Sequence, residues 1–451
     1  MGESERIIEA MRQAVPPARP ALDDADASAL RKLTGELVEA RTGASAEYER
    51  YRSIASRELC LPEQAVASRI EGATVLVTGG TGCVGSALMA QLARLRPGRL
   101  ASVSRGRTLG WPVQPGAEYR QADITSAAAI REVIADVGPD VIFHVAAQRS
   151  PALAETEVRG TVAANTAGAR NVLRAAAETG VPQVVCASTG KALRPYSPEV
   201  YTASKRAAEW MGADLAASTG MLLSAARFTH VVDNSIVHER LRAWAGDRRA
   251  SMRLHGEDIS FYAQSAVESA QLLLTAMAGA VPGEFRVHAI TDLGWPVCLL
   301  DVAVGVLRET GSRTPLYISG YDPGYEEVAF PGLYDPATAG DVSPLMNAFE
   351  TAAAVPSVCP RTDAFRLEFA PDPAAVKLLD LLGEACGRTR DHGAVRQALD
   401  DLSWVLLDAT LAAADPGVLS RCASLIRHHE DAMSPVHRRV SQAVRAHVVP
   451  S

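Results

Sequence analysis

The sequence predicts an α/β protein built on a doubly wound parallel sheet. From Gly72 onward, short β-branched apolar runs at 74–78, 141–145 and 184–187 alternate with Ala- and Leu-rich segments long enough for helices, such as 86–95. Strands that are apolar throughout and alternate with helices are typical of a parallel sheet that is covered on both faces. A glycine-rich segment also follows the first run directly, as expected where a strand turns into a helix.

Composition narrows the class of protein. The 451 residues carry 45 Lys and Arg against 52 Asp and Glu, a formal net charge of −7, with 47% hydrophobic and 22% charged residues. This mild acidity argues against nucleic-acid or anionic-membrane binding, which needs clustered cations. No run of about 18 apolar residues appears and the N-terminus is charged, so we expect a cytoplasmic protein. The seven scattered cysteines predict buried thiols and no metal site.

The N-terminal segment, 1–71, is predicted to be a helical extension. Its leucines recur at the spacing of one helix face, as at Leu33 and Leu37. The α/β domain is expected to span 72–350 and to include a small substrate lobe at about 285–345.

A glycine motif follows the first predicted strand, and an Ala- and Leu-rich helix begins directly after it. Glycines let the chain turn tightly and let a pyrophosphate approach the backbone, while the helix N-terminus offers free N–H donors and the positive end of its dipole. The motif therefore predicts a Rossmann-like dinucleotide site. The loop residues expected to bind the cofactor are Gly79, Thr81, Gly82, Cys83, Val84 and Gly85.

The end of the second strand bears on the choice between NAD and NADP. An NAD site places a carboxylate about 20 residues beyond the glycines to bind the ribose 2′-hydroxyl. Here Ser104, Arg105, Gly106 and Arg107 follow the strand, with no acid in reach. A hydroxyl and a guanidinium suit a 2′-phosphate, so the sequence favours NADP over NAD, with Ser104 and Arg105 as contacts. An ordinary surface arginine is the alternative.

Two further strand ends are candidate cofactor contacts. Asp123 and Ile124 follow the third predicted strand and could lie against the adenine. Ala146 and Ala147 end the next strand in small side chains that leave room for a ribose. His144, within that strand, is interpreted as a packing residue because its neighbours are of buried types.

Tyr201 and Lys205 form the predicted catalytic pair. Their four-residue spacing on a helix stacks the phenol and the ammonium on one face. The cation is expected to lower the pKa of the phenol, so that Tyr201 can exchange a proton with a substrate hydroxyl. Thr189 or Ser188 can hydrogen-bond the same substrate oxygen. Lys191 is a candidate base beside a carbonyl, with a structural lysine as the alternative.

The C-terminal part, 351–451, is predicted to be a proline-rich linker, or a chain segment that crosses the surface, at 352–373, followed by amphipathic helices. The clearest helix carries its apolar stripe at Val395, Leu399, Leu402 and Leu406. The two helical extensions are expected to form a dimer interface or a lid, and we expect a homodimer.

Together these motifs resemble the extended short-chain dehydrogenase/reductases, over about residues 72–345. The resemblance is carried by the TGGTGxVG turn, the FHVAA strand, Asn165 before AGARNVL, the Ser/Thr strand end and YxxxK. It is closest to the polysaccharide-biosynthesis branch of nucleotide-sugar 4,6-dehydratases and C5-epimerases, through 188–192 and 201–206. That resemblance implies that Asn165 belongs to the cofactor site. It also implies transient oxidation of a sugar ring carbon, followed by elimination or epimerisation.

Three departures limit what carries over from that branch. Gly190 replaces an aspartate that acts as the acid in dehydration, 227–230 reads RFTH in place of RFGN, and 320–325 lacks a basic residue expected to face a diphosphate and brings Asp322 nearby. Tyr201, where many members have Met, keeps the alcohol/ketone redox machinery intact. We therefore predict an NADP-dependent oxidoreductase or epimerase acting on a secondary hydroxyl of a sugar, nucleotide sugar or sugar-like metabolite. The alternatives are a nucleotide-sugar 4,6-dehydratase and a non-catalytic NADP-binding regulator.

Overall fold

The chain forms two compact units in the computed structural model, which describes residues 2–106, 111–247, 249–321, 343–388, 391–427 and 433–448. The helical unit comprises Met1–Arg57, Thr229–Ala266 and Leu293–Glu327, and the sheet unit comprises Glu58–Phe228, Val267–Asp292 and Val328–Ser451. These units group the chain differently from the three consecutive segments expected from the sequence, whose boundaries stay predictions.

Fifteen strands occur among the described residues. In chain order they are β1 Thr74–Thr78, β2 Arg99–Ser104, β3 Glu118–Gln121, β4 Val141–His144, β5 Gln183–Thr189, β6 Leu222–Phe228, β7 His230–Val231, β8 Met252–Leu254, β9 Ser260–Phe261, β10 Ala263–Gln264, β11 Phe285–Ile290, β12 Val297–Cys298, β13 Leu316–Ile318, β14 Ala354–Val355 and β15 Thr362–Arg366.

Eighteen α-helices are described in the same parts of the chain. They are α1 Glu3–Ala14, α2 Asp24–Ala40, α3 Ala44–Ser53, α4 Glu63–Ile70, α5 Cys83–Arg94, α6 Ala127–Val137, α7 Pro151–Thr156, α8 Val158–Val162, α9 Gly168–Glu178, α10 Val200–Thr219, α11 Ile236–Gly246, α12 Ala266–Ala278, α13 Leu299–Thr310, α14 Ala348–Ala352, α15 Pro373–Arg388, α16 His392–Ala413, α17 Pro416–Arg427 and α18 Pro435–Ala446.

The sheet unit is built on nine strands in the spatial order β14-β15-β11-β6-β5-β4-β1-β2-β3. Every pairing from β11 to β3 is parallel, which confirms the predicted doubly wound sheet. Central strands such as β1 are buried along most of their length, as expected of a sheet covered by helices. Where the sequence predicts a linker at 352–373, β14 and β15 instead extend the sheet with antiparallel pairings.

The register of the central strands aligns the residues that precede the site. Thr78 of β1 is paired with His144 of β4, which is paired with Cys186 of β5. The chain segments that follow these three residues therefore leave the sheet at one edge, the carboxyl edge, where parallel sheets bind ligands.

The helical unit has its own hydrophobic core. The N-terminal helices contribute Leu30, Leu37 and Tyr51 to it, and α13 contributes Leu300 and Val304, all of them buried. Three two-stranded pairings, β8 with β13, β7 with β10 and β9 with β12, complete this unit. The N-terminal helices thus share a core with later segments of the chain.

The C-terminal helices belong to the sheet unit, where α16 packs along α10. The stripe predicted for α16 is confirmed as buried: Val395, Leu399, Leu402 and Leu406. Within the described ranges, no helix alone has the length and apolar character to cross a membrane; α16 and α17, bent by 119°, meet that test only as a pair and on length and composition alone.

Candidate active site

The turn after β1 has a shape that only glycine permits. Gly79 has φ of +76°, and a Cβ placed on it would lie 2.9 Å from the Cα and N atoms of Ala146. A Cβ on Gly85 would lie 2.1 Å from the carbonyl oxygen of Gly79. Gly82 caps α5 without a side-chain hydrogen bond, so the first N–H groups of the helix have no side-chain cap. This open helix N-terminus, reached through a turn of minimal bulk, fits a pyrophosphate.

The other loop residues lie within the same turn. Thr81 and Val84 are half-buried, Gly82 is exposed and Cys83 is buried at the start of α5. All seven cysteines are free. Cys60 is exposed, so the prediction of buried thiols is wrong for that residue. No cluster of three or more potential metal ligands occurs among the residues that are described.

The end of β2 presents the residues proposed for the 2′-phosphate. Arg105 is exposed, and its carbonyl accepts a hydrogen bond of 3.4 Å from the side chain of Gln121. The Ser104 hydroxyl lies 3.5 Å from the amide nitrogen of Gly106. Arg107 lies outside the described residues, as does Asp322.

The turn after β3 is held by hydrogen bonds between its own residues. The Asp123 carboxylate accepts bonds of 2.9 Å from both the amide and the hydroxyl of Thr125. Ile124 is buried, and its side chain would lie 2.8 Å from a Cβ on Gly168. The Asp123 carboxylate therefore shapes the turn, and its contact with adenine stays a prediction.

Thr78 and His144 join the ends of β1 and β4. The Thr78 hydroxyl lies 2.8 Å from His144 Nδ1 and accepts bonds of 3.2 Å from the amides of Val145 and Ala146. Since that hydroxyl already accepts two bonds, it donates its proton to Nδ1. Burial, together with the charge of Lys205, lowers the pKa of His144 to about 3. His144 is thus a neutral packing residue, as predicted, and it helps hold the Ala146–Ala147 segment beside Gly79.

Asn165 lies in a short π-helical stretch, Ala163–Ala167, a feature that is frequent at functional sites. Its amide accepts a bond of 2.8 Å from the Gln148 backbone and donates bonds of 3.0 Å to the Gln148 carbonyl and 3.2 Å to the Ser204 hydroxyl. Asn165 therefore connects the loop after β4 to α10, and its contact with a cofactor stays a prediction.

Tyr201 and Thr189 are brought together at the junction of β5 and α10. Burial raises the pKa of the Tyr201 phenol, while the neighbouring Thr189 side chain and the positive charge of Arg149 act in the opposite direction. At neutral pH the phenol is therefore protonated in this structure.

Lys205 does not act on Tyr201 as the sequence suggests. Its ammonium donates a bond of 2.6 Å to the carbonyl oxygen of Ala187. Burial lowers the pKa of Lys205, and the neighbouring Cys186 and Glu209 side chains oppose that shift. The expected lowering of the phenol pKa by Lys205 is wrong for this structure, because the ammonium is directed to a backbone carbonyl and the cation acting on the phenol is Arg149.

Ser188 and Thr189 point to different surroundings, as successive strand residues do. The Ser188 hydroxyl donates a bond of 2.6 Å to Glu209, which is buried and bound to Arg227 at 2.7 Å. Of the two hydroxyls proposed for the substrate oxygen, Ser188 is thus engaged with Glu209 and Thr189 is the one beside Tyr201, and the contact with substrate stays a prediction. The sequence motifs did not indicate Glu209. The one available signal was its position four residues after Lys205, on the same face of α10.

Lys191 forms an ion pair with Glu199, at 2.8 Å. Burial would raise the pKa of Glu199, but Lys191, Arg194 and Thr202 outweigh it and hold that pKa below its usual range. This ion pair fits the structural alternative for Lys191, and its predicted role as a base stays a prediction.

Gly190 lies against a side chain from the C-terminal part of the sheet unit. A Cβ on Gly190 would be 2.6 Å from Cδ2 of Leu345, which is 5% exposed. The space into which an aspartate would extend is therefore filled by a leucine that lies 155 positions later in the chain and that no local pattern places there.

The sheet, the glycine turn and the Thr–Tyr–Lys segment define an extended short-chain dehydrogenase/reductase, as the motifs suggest. The chain belongs to the polysaccharide biosynthesis protein family, whose profile matches residues 75–328. The resemblance described from the sequence is thereby confirmed.

Individual relatives agree with this placement. The chain is 25% identical over 288 residues to the probable polysaccharide biosynthesis protein EpsC of Bacillus subtilis, a match that covers 60% of this chain and 47% of that protein. It is 28% identical over 141 residues to a UDP-N-acetylglucosamine 4,6-dehydratase (inverting) of Campylobacter jejuni, covering 30% of this chain and 41% of that one. The chain thus spans less than half the length of these relatives.

Solved structures support the fold. The X-ray structure of Pen from Bacillus thuringiensis superposes with a TM-score of 0.55 at 19% identity, covering 66% of this chain and 88% of that one. At this identity the similarity concerns the fold alone.

Proposed function

We propose that this protein is an NADP-dependent oxidoreductase or epimerase that acts on a secondary hydroxyl of a nucleotide sugar. The observation that carries the proposal is the juxtaposition of Thr189, the last residue of β5, and Tyr201, at the start of α10, where Thr189 lowers the pKa of the phenol. The glycine turn leaves the same edge of the sheet from β1, two strands away and hence about 10 Å across. A regulator that only binds a nucleotide needs no phenol and ammonium spaced in this way on one helix.

The residues at this edge fit a nicotinamide dinucleotide. The turn from Gly79 to Gly85 and the N-terminus of α5 would hold the pyrophosphate, and Ser104 and Arg105 would hold the 2′-phosphate. Lys205, with its ammonium at the end of β5, would bind the nicotinamide ribose. When bound, this cofactor accepts a hydride from the substrate carbon and returns it.

The protein's own part in the reaction is proton transfer and orientation. Tyr201, protonated at neutral pH because burial raises its pKa, would donate its proton to a carbonyl oxygen. Thr189 would orient that oxygen through its hydroxyl. In the reverse direction the phenol must lose its proton, and the nearby Arg149 cation favours the charged form.

The surroundings of Gly190 favour epimerisation or simple redox chemistry over dehydration. Dehydration by the family's route needs an acid at this position, and Leu345 fills the space where that side chain would extend. Glu199 is held ionised by Lys191 and Arg194 and cannot supply a proton. The nucleotide-sugar substrate is proposed from the named Campylobacter relative and from the family.

Substrate turnover tests the proposal directly. The protein is incubated with NADP and either UDP-N-acetylglucosamine or UDP-glucose, and the sugar is followed by proton NMR in deuterated water. We expect a sugar epimer or a keto-sugar without loss of water. A Tyr201→Phe protein should lose at least ~100-fold in rate, whereas Tyr119→Phe, at an exposed tyrosine, should not. Accumulation of a 4-keto-6-deoxy sugar would contradict the assignment against dehydration.

Cofactor choice is tested by binding. Arg105→Ala should weaken NADPH binding by roughly tenfold or more, the loss of a charge-assisted phosphate contact, and leave NADH binding unchanged. Arg96→Ala, at another exposed arginine, is the matched control. Tighter binding of NADH than of NADPH by the unchanged protein would refute the choice of NADP.

A further inference from the structure

The C-terminal part of the chain is bonded to the catalytic helix α10 through a buried ion cluster. Arg227 donates to Glu209 at 2.9 and 2.7 Å and to Glu350 at 2.7 and 2.8 Å. Arg206 donates to Glu350 at 3.1 Å. These four side chains are at most 4% exposed, and their charges cancel. Glu350, from α14, is therefore needed for neutrality, because a buried charge without a partner is strongly unfavourable.

This cluster reaches the catalytic segment at two points. Ser188, the residue before Thr189, donates its hydroxyl proton to Glu209. Glu209 also lies one helical turn after Lys205 on α10, where its negative charge favours the Lys205 ammonium. Arg227 and Glu350 thus hold Glu209 in position, and Glu209 in turn accepts the Ser188 bond and favours the charged form of Lys205.

A second connection holds the start of α10. The Val200 amide, one of the donors that a helix N-terminus leaves without a helical partner, donates to Glu155 at 2.9 Å. Arg396 of α16 fixes that glutamate with bonds of 2.6 Å to its carboxylate and 3.1 Å to its carbonyl. Tyr201 is the next residue after Val200.

A third connection holds the turn that leads into α10. The Tyr196 ring stacks on Trp404 of α16 with centroids 4.0 Å apart, and its hydroxyl donates to Asp400 at 2.6 Å. Farther along, Arg206 donates to Thr410 at 3.3 Å. Contacts from α14 and α16 therefore occur before, at the start of and along the helix that carries the catalytic pair.

We propose that α14 and α16 act as a splint that positions Tyr201 and Lys205 for catalysis, with Glu350 and Arg396 as its positioning residues. This inference rests on the proposed function, since it assigns to the C-terminal part a role in that same site. It differs from the expectation of a dimer interface or a lid, because the connections are made within one chain and to the catalytic helix itself.

The test compares Glu350→Gln with the unchanged protein. NADPH binding is measured by its fluorescence from pH 6 to 10, and amide hydrogen exchange is measured over Val200–Thr219. Removing the negative charge leaves the cluster positive, which disfavours the Lys205 ammonium. NADPH binding should weaken at alkaline pH as Lys205 loses its proton, and in Glu350→Gln we expect the midpoint of that loss to move down by about one pH unit. The Kd for NADPH should rise roughly threefold or more, and the amides of α10 should exchange faster. Glu350→Asp should restore the pH midpoint.

Asp380→Asn is the matched control. It removes an ion pair to Arg170 that connects α15 to α9 and does not touch α10, so the NADPH midpoint and the exchange of α10 should stay unchanged. Arg396→Gln, at a partly exposed arginine, serves if Glu350→Gln fails to fold, and should also speed exchange at the start of α10 and weaken NADPH binding.

The outcomes separate the two proposals. If the unchanged protein binds neither NADPH nor NADH, the proposed function fails, and the exchange of α10 still reports whether the splint holds that helix. If the protein binds NADPH but Glu350→Gln and Arg396→Gln match it in pH midpoint, Kd and exchange, the splint is refuted.

Discussion

The contact between Gly190 and Leu345 makes a quantitative prediction. Gly190→Ala places a Cβ 2.6 Å from Leu345 Cδ2, and the two adjoining atoms of that leucine lie at 3.3 and 3.5 Å. Overpacking of this kind costs about 1–3 kcal/mol, and the colliding atom is the end of a side chain, which places the cost toward the lower figure. Leu345→Ala alone removes a buried leucine and costs about 2–5 kcal/mol. In the double variant the added methyl enters the space that the leucine vacates.

The free energies of unfolding in urea of the unchanged protein, the two single variants and the double variant form a double-mutant cycle. The double variant should be more stable than the sum of the single changes by about 1–2 kcal/mol, since the two residues are in contact. Gly160→Ala is the control: it lies in α8 with no atom within 4 Å of the added Cβ, and it should stabilise the protein by roughly 0.5–1 kcal/mol. If the two single changes add within about 0.5 kcal/mol, the side chains are not in contact, and the reasoning against dehydration fails with them.

Three other changes have defined outcomes. Arg227→Met leaves two buried carboxylates without their main partner and should lower the free energy of unfolding by about 3–5 kcal/mol; a loss below about 1 kcal/mol in urea unfolding would show that the cluster is not buried as described. Burial lowers the pKa of His288 to about 3, so the unfolded chain, with its higher pKa, takes up this proton first. Stability should therefore fall as pH drops from about 6.5 toward 3, and less steeply in His288→Leu; equal slopes in urea unfolding would contradict this. Gly85→Ala, whose Cβ meets the Gly79 carbonyl, should weaken NADPH binding more than about tenfold in a fluorescence titration, whereas Gly160→Ala should bind as the unchanged protein does.

Local patterns of the sequence were enough for the features in which neighbouring residues make the structure. The glycine turn follows from a strand, three glycines and a helix in succession, and Gly79 indeed has the positive φ that such a turn requires. The buried stripe of α16 follows from helical periodicity, and the neutral packing role of His144 follows from its apolar neighbours.

Features that depend on distant residues were not predictable in this way. Thr189 and Ser188 were equivalent candidates until strand direction turned one toward Tyr201 and the other toward Glu209. The 352–373 segment has the prolines of a linker, yet β15, which lies within it, pairs antiparallel with β11 and extends the sheet.

By itself, the sequence determined the class of fold and the position of the glycine turn, and it predicted Tyr201 as the catalytic phenol, because each depends on the spacing of residues within one strand, turn or helix. Only the tertiary structure decided which groups surround that phenol. Glu350 reaches Arg227 across 123 positions of the chain, and Leu345 fills the space beside Gly190. No spacing records such contacts, since folding alone brings these segments together and burial then decides which charges can be kept.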